Sequence, residues 1–134
     1  MNMILRDTQV QTEVIQALRL ALSGIDVTAD PSIPPAGRYV RVDGWSPMDD
    51  DLYKNTETTT HFFFVHVFDA PPGGTKSLRW ARETLAAADQ AIMAANIAGG
   101  TARRQEAQVL FEPSNAEGVF DAHGFIRYRV QLGA

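Results

Sequence analysis

The sequence predicts an α+β fold in which two helices pack on one face of a largely antiparallel sheet of four to five strands. Apolar residues recur at helical spacing in two segments, one near the N-terminus and one after residue 74. The segments between and after them are rich in β-branched and aromatic residues, which favour strands. The order helix, strands, helix, strands places both helices on one side of a sheet. With 134 residues, we expect the chain to form one domain over residues 1–134.

The first helix is predicted over residues 7–22. Its apolar stripe consists of Val10, Val14, Ala17, Leu18, Ala21 and Leu22. Thr8 and Gln11 fit a capping box at its start. The second helix is predicted over residues 75–97, with Thr75 or Ser77 as its cap and Gly99 and Gly100 as its end.

The longest β-rich segment, residues 57–69, is predicted to be the central strand. Both of its faces become apolar after His61, which is typical of a strand that is covered on both sides. Further strands are predicted over residues 25–29, 38–44 and 101–112. The closing strand alternates, with Ile126, Tyr128, Val130 and Leu132 facing inward. The residues just before it, 121–124, are predicted to interrupt the ladder.

Residues 45–56 are predicted to form a polar loop between two antiparallel strands. The loop is longer than the usual hairpin connection of about 2 to 5 residues. It combines apolar side chains with a run of carboxylates: Trp45, Met48, Asp49, Asp50, Asp51, Leu52 and Tyr53. Aromatic residues and Met are enriched at protein interfaces, so we predict a protein–protein contact here. The alternative is that the apolar side chains fold back onto the domain.

Composition excludes several classes of protein. A net charge of −4 argues against a nucleic-acid binder that works through a broad basic face. No apolar run approaches the roughly 20 residues of a membrane span, so we expect no membrane partner. We expect no secretory signal either. The absence of cysteine excludes disulfides and thiolate chemistry.

A phosphate-binding loop is the first catalytic or cofactor motif to be rejected. The segment from Gly73 to Ser77 has the right context, since glycines follow a strand and precede a helix. The motif requires Lys directly after Gly, and Thr75 separates Gly74 from Lys76. We interpret the segment as a flexible turn followed by a capped helix.

The sequence also lacks the residue patterns of a metal site and of a catalytic nucleophile. Asp49 to Asp51 lack the spaced ligands of a calcium loop. His61 and His66 are five residues apart and face opposite sides of one strand, and His123 is the only other histidine. No serine lies in a Gly-x-Ser-x-Gly elbow. We therefore expect no catalytic residue, no cofactor and no metal.

The order of elements resembles that of the tail terminator, or tail-completion, family of long-tailed phages and gene-transfer particles. The resemblance lies in the opening helix, in the strand Arg38-Tyr39-Val40-Arg41-Val42 after a Pro-containing loop, and in the segments that follow it to the closing Arg-Tyr-Arg-Val alternation. Family members tend to carry Pro-Tyr-Val where this chain has Arg38-Tyr39-Val40. The resemblance spans nearly the whole chain, and it rests on a pattern of elements with few diagnostic residues.

This resemblance implies a structural virion protein that is not an enzyme. Such proteins form a hexameric ring on the last ring of the tail tube, at the top of the virion tail, after assembly in the host cytoplasm. Its implied partners are other copies of itself, the tail tube protein and the head–tail connector or a neck protein. DNA passes through its lumen without sequence-specific binding. Two alternatives stay open at this point: another head–tail joining (neck) component, and a small ligand-binding or enzymatic α+β domain.

Overall fold

The computed structural model of the chain describes residues 3–29, 37–49, 58–70, 77–113 and 120–133. The elements follow in the order α1 (Met3–Ala21), β1 (Asp26–Thr28), β2 (Gly37–Asp49), β3 (Thr59–Ala70), α2 (Leu78–Ala94), β4 (Ala102–Pro113) and β5 (Phe120–Leu132). The five strands form one sheet in the order β1-β2-β3-β5-β4, and only the β1–β2 pair is parallel. The predicted α+β class is therefore confirmed, with β3 at the centre of the sheet.

Both helices pack against the same face of the sheet, as predicted. Each contributes an apolar stripe, Val10, Val14 and Leu18 from α1 and Ala81, Leu85, Ala88 and Ile92 from α2. Alternate residues of the strands pack against these two stripes, among them Val40, Val42, Phe63, Val65, Val67, Ile126, Tyr128 and Val130. Burial of this apolar surface, at about 25 cal/mol per Å², is the main term that holds the helices on the sheet.

The prediction that β3 is covered on both faces is wrong. Phe63, Val65 and Val67 are fully buried beneath the helices. The residues that alternate with them, such as Phe64 and Phe68, are only half-buried, because neither helix packs on their side. We call this second side the open face of the sheet.

The predicted loop over residues 45–56 is wrong for its first part, because β2 continues to Asp49 and pairs with β3 to its end. A register shift between Asp43 and Ser46 absorbs an irregularity at Gly44, whose φ is 68°. Pro47 is tolerated in the strand because β1 pairs only with residues 39–41. Beyond that point β2 pairs only with β3 among the described residues, and an edge strand is where proline is tolerated in a sheet.

The predicted interruption at residues 121–124 is also wrong. These residues lie inside β5, where Ala122, His123 and Gly124 pair with β3 on one side and β4 on the other. Their turn-like composition is overridden by the hydrogen bonds of two neighbouring strands, since context can reverse a strand propensity.

All four helix ends differ from the predictions, the end of α1 by one residue. Helix α1 begins at Met3, so Thr8 lies within it and its hydroxyl donates to the carbonyl of Ile4 instead of capping. Helix α2 begins at Leu78 with Ser77 as its N-cap, one of the two caps predicted, and ends at Ala94 before the two glycines. Within the described part of the chain, no helix is long and apolar enough to cross a membrane.

Candidate interaction surface

The open face carries a continuous layer of aromatic rings. Four of them alternate along β3, namely Phe62, Phe64, His66 and Phe68, and others come from Tyr39 on β2 and from His123 and Phe125 on β5. The rings of Phe68 and His123 stack with centroids 4.3 Å apart and planes 4° apart. Tyr39 stacks on the other side of Phe68 at 5.0 Å. The rings pack against one another on this face, and neither α1 nor α2 covers it.

His66 sits at the centre of this layer and is held by two neighbours. Its Nε2 lies 2.9 Å from a carboxylate oxygen of Asp43, and its Nδ1 lies 2.9 Å from Nε2 of His123. Because a carboxylate only accepts, Nε2 of His66 carries the proton and Nδ1 accepts from His123. Burial lowers the pKa of His66 below its ordinary value of 6.5, although Asp43 acts in the opposite direction. His66 is therefore neutral near pH 7.

Two arginines lie over these rings. The guanidinium carbon of Arg127 lies 4.6 Å from the ring centroid of Phe62 and 5.7 Å from that of Phe64. The guanidinium carbon of Arg41 lies 5.0 Å from the centroid of Phe68. Arg41 also donates to Asp43 at 2.8 Å. By contrast, the buried Nε of Arg127 has no hydrogen-bond partner among the described residues.

The residues of the predicted contact loop are placed differently from one another. Trp45 stacks on Phe63, with ring centroids 5.3 Å apart, and packs partly buried against the core. Met48 is 50% exposed and pairs with Thr60 at the end of the open face. Asp49 is the last residue of β2. Residues 50–53, which include Asp50, Asp51, Leu52 and Tyr53, lie outside the described residues.

A buried polar chain joins α1 to the central strand. Nδ1 of His61 lies 2.8 Å from the Asp7 carboxylate, and its Nε2 lies 2.8 Å from the Thr59 hydroxyl. Gln11 donates to the other oxygen of Asp7 at 3.0 Å, and Arg6 donates to Thr59 at 3.4 Å. A carboxylate, an imidazole and a hydroxyl in this order can activate a nucleophile. Here the Thr59 hydroxyl already contacts Arg6 and His61, and all three groups are buried. We call the hydrogen-bonded series Asp7, His61 and Thr59 the polar lock, because it ties α1 to β3.

A second buried carboxylate occupies the start of α2. Asp69 accepts from the backbone N–H of Ser77 at 2.8 Å and from Arg38 at 3.3 Å. The Ser77 hydroxyl in turn accepts from the N–H of Trp80 at 3.0 Å. The helix terminus that a phosphate-binding loop would offer to an anion is thus bound by the protein's own carboxylate. The glycines and Lys76 of that rejected motif lie outside the described residues.

Sequence reasoning missed both the ring layer and the polar lock. His61 and Asp7 are far apart in the chain, and nothing in the local pattern of either residue indicates the other. The alternation of aromatic residues along residues 60–68 was the available signal for the ring layer, but it also fits a buried strand. Among the residues that the structure describes, no group of three or more His, Asp or Glu side chains is placed to hold a metal ion.

Comparison with known proteins gives one informative result. No protein-family model matches this chain, and no curated protein does. Among solved structures, 25 chains match. One of them belongs to a structure described as the virion of a native gene transfer agent particle, with a TM-score of 0.60 and 19% sequence identity. The match covers 95% of this chain and 96% of the other, so the two chains are similar in fold from end to end.

Proposed function

We propose that this chain is a structural protein of a phage-like or gene-transfer particle and acts as the tail terminator. In this role residues 1–134 form one domain, and six copies form a ring on the last ring of the tail tube. The ring stops tube growth and presents the surface to which the head connector or a neck protein attaches. DNA passes through the lumen without sequence-specific contacts, and the protein has no catalytic role.

The observation that carries this proposal is the end-to-end likeness to a chain of a gene transfer agent virion. Coverage of 95% of this chain and 96% of the other means that the likeness extends over nearly the whole of both chains. The description of that structure names the particle as a whole. The assignment to the tail end therefore rests on the resemblance of the sequence to the tail terminator family.

The open face supports an assembly role over an enzymatic one. It presents half-buried rings and arginines, and aromatic residues and arginine are enriched in protein interfaces. The buried polar groups that resemble a catalytic set lie between helix and sheet, away from this face.

Electron microscopy of particles from producing cells tests the proposal. A chain that carries a small affinity tag at its C-terminus should be labelled at one position, where the tail meets the head, with six-fold symmetry. Cells that lack the protein should accumulate filled heads and unjoined tails of irregular length. A label above the last tube ring, next to the connector, would assign the chain to the neck. Particles that assemble normally without the protein would refute both assignments.

A further inference from the structure

Two exposed arginines are directly opposed on the open face of the sheet. Arg103 on β4 and Arg129 on β5 are partners in register, and their neighbours along the strands are buried beneath the helices. Like charges at directly opposed positions destabilise a strand pair. Among the described residues, no carboxylate lies within ion-pairing distance of either guanidinium. Within that part of the chain, the pair therefore has no counterion.

A third arginine leans toward this pair. Arg127 lies two residues before Arg129 on the same face, and its partner in register on β3 is Phe64. Its guanidinium carbon nevertheless lies closer to the ring centroid of Phe62, at 4.6 Å, than to that of Phe64, at 5.7 Å. Phe62 is the β3 partner of Arg129, so the side chain of Arg127 extends along the strand toward the opposed pair. Three positive charges are thus gathered at one place on a chain whose net charge is −4.

Further hydrogen-bond donors lie beside the opposed pair. Thr101 immediately precedes β4, and Gln131 lies two residues after Arg129 on β5. Together with Arg103 and Arg129, these two residues line a depression of about 250 Å³, which we call the β4–β5 depression. None of its described lining residues is acidic, whereas Glu106 lines a neighbouring depression. A water molecule occupies about 30 Å³ in the liquid, so the β4–β5 depression has room for a tetrahedral oxyanion together with water.

The donors of the β4–β5 depression suit a phosphate group better than a carboxylate. Each guanidinium offers a fork of N–H donors, and the hydroxyl and the side-chain amide add further donors. A carboxylate has two oxygens, which a single guanidinium fork can satisfy. A phosphate monoester carries a charge of about −1.5 to −2 at pH 7 and three strong acceptor oxygens. It can therefore neutralise two arginines and accept hydrogen bonds from both strands at once.

We propose that the β4–β5 depression binds a phosphate group in its dianionic form between Arg103 and Arg129. The two guanidinium forks donate to different oxygens, and the side chains of Thr101 and Gln131 donate beside them. Arg127 adds positive charge from its place next to the pair. The same chemistry is offered by small phosphate compounds and by the 5′-phosphate of a nucleic-acid end. The site does not depend on the proposed ring, so the isolated chain should show it.

Titration of the isolated, full-length chain with inorganic phosphate, followed by nuclear magnetic resonance near neutral pH, tests the site. Sodium phosphate replaces sodium chloride at constant ionic strength, so that the screening of charges stays the same. Saturable shifts are expected at the backbone amide signals of the residues that line the β4–β5 depression. Acetate and dimethyl phosphate, which each carry a single charge, should bind at least about tenfold more weakly, because charge-assisted hydrogen bonds are lost.

An arginine variant with a matched control identifies the binding residues. Arg103→Gln should lower the affinity for phosphate at least about tenfold, since it removes one guanidinium fork. Without phosphate its melting temperature should not fall, because the repulsion between the opposed arginines is relieved. Arg82→Gln removes an exposed arginine from α2 and gives the same net charge. This control should bind phosphate as the native chain does.

Two oligonucleotide probes separate the possible sources of the phosphate. A short single strand that carries a 5′-phosphate should bind more tightly than the same strand with a 5′-hydroxyl. If its affinity also exceeds that of inorganic phosphate, the ligand is a nucleic-acid end. If its affinity is equal or lower, the ligand is a small phosphate compound.

Three results would overturn the site. One is the absence of saturable shifts around the β4–β5 depression of the native chain, as expected if carboxylates of the chain itself already occupy it. Another is an equal loss of affinity in Arg103→Gln and in the Arg82→Gln control. The third is binding of acetate or dimethyl phosphate as tight as that of phosphate, which would assign the depression to an acidic protein or to the backbone of a nucleic acid. None of these results bears on the proposed tail role, which electron microscopy tests separately.

Discussion

Phe63 and Phe64 are neighbours on β3 that point to opposite faces of the sheet. Replacing each of them singly by Ala therefore compares the free energy that burial contributes on the two faces. Phe63 is fully buried and stacks with Trp45 and Tyr128, in each case with centroids 5.3 Å apart. Phe64 is half-buried on the open face, and its nearest ring is that of His66, at 5.6 Å.

The two costs should differ clearly. Burial of a Phe side chain stabilises by about 1.5–3 kcal/mol. Each ring pair adds about 0.5–1.5 kcal/mol. For Phe63→Ala these terms agree with the usual cost of about 3–5 kcal/mol for truncating a buried Phe. For Phe64→Ala we expect about 1.5–3 kcal/mol, because part of its ring is already in water, although it also contacts the rings of His66 and Phe125.

Urea denaturation and thermal melting measure both variants. With an unfolding entropy of about 2.1 cal/mol/K per residue, 1 kcal/mol shifts the melting temperature of this chain by about 3.6 °C. Phe63→Ala should then melt about 11–18 °C lower than the parent, and Phe64→Ala about 5–11 °C lower. An unchanged urea m-value would confirm that the denatured state is unaffected.

Equal losses at the two sites would refute the reasoning, since they would mean that the open face is as deeply buried as the helix face. A loss of only a degree or two at Phe63 would show that β3 is not the centre of the core.

Three further predictions follow from the buried polar groups and from one close backbone approach. Asp7→Ala should cost about 1–3 kcal/mol in urea denaturation, because His61 loses its acceptor; Asp7→Asn keeps an oxygen there, and an equal loss would contradict this account. The lowered pKa of His66 means that stability should fall as pH drops below 6.5, by at most about 1.4 kcal/mol per pH unit. His66→Gln should flatten that slope, and an unchanged slope would exclude His66 as its source. Gly100→Ala should cost about 1–3 kcal/mol, since the added Cβ would lie 2.8 Å from the Leu132 side chain and 3.0 Å from a backbone oxygen of β5. An unchanged melting temperature would show that β5 shifts to accommodate the added methyl group.

Helix and strand identity came from local pattern alone. The stripe of Val10, Val14 and Leu18 recurs every three to four residues, and Ile126 and Tyr128 alternate, so each segment specifies its own buried face. The fold class followed from the order of these segments, because each apolar face has to be buried against another element.

The true extent of two strands depended on pairing. Pro47 and Gly124 look like turn residues in the sequence, and both lie in strands. Whether a strand continues through such residues is decided by the hydrogen bonds that its neighbours supply, and those neighbours are distant in the chain. Pro47 lies where β2 has no strand on its outer side among the described residues, whereas Gly124 pairs with β3 on one side and with β4 on the other.

The surface on which the proposals rest was decided only by tertiary structure. Asp7 and His61 meet across 54 residues, and His66 and His123 across 57. Arg103 and Arg129 are unremarkable as separate sequence positions and become an unfavourable pair only when β4 and β5 align in register. Local periodicity determines which side of an element is apolar. Which elements become neighbours, and in what register, is determined by the packing of the whole chain, and that packing assembled the ring layer and the hydrogen bonds between Asp7 and His61.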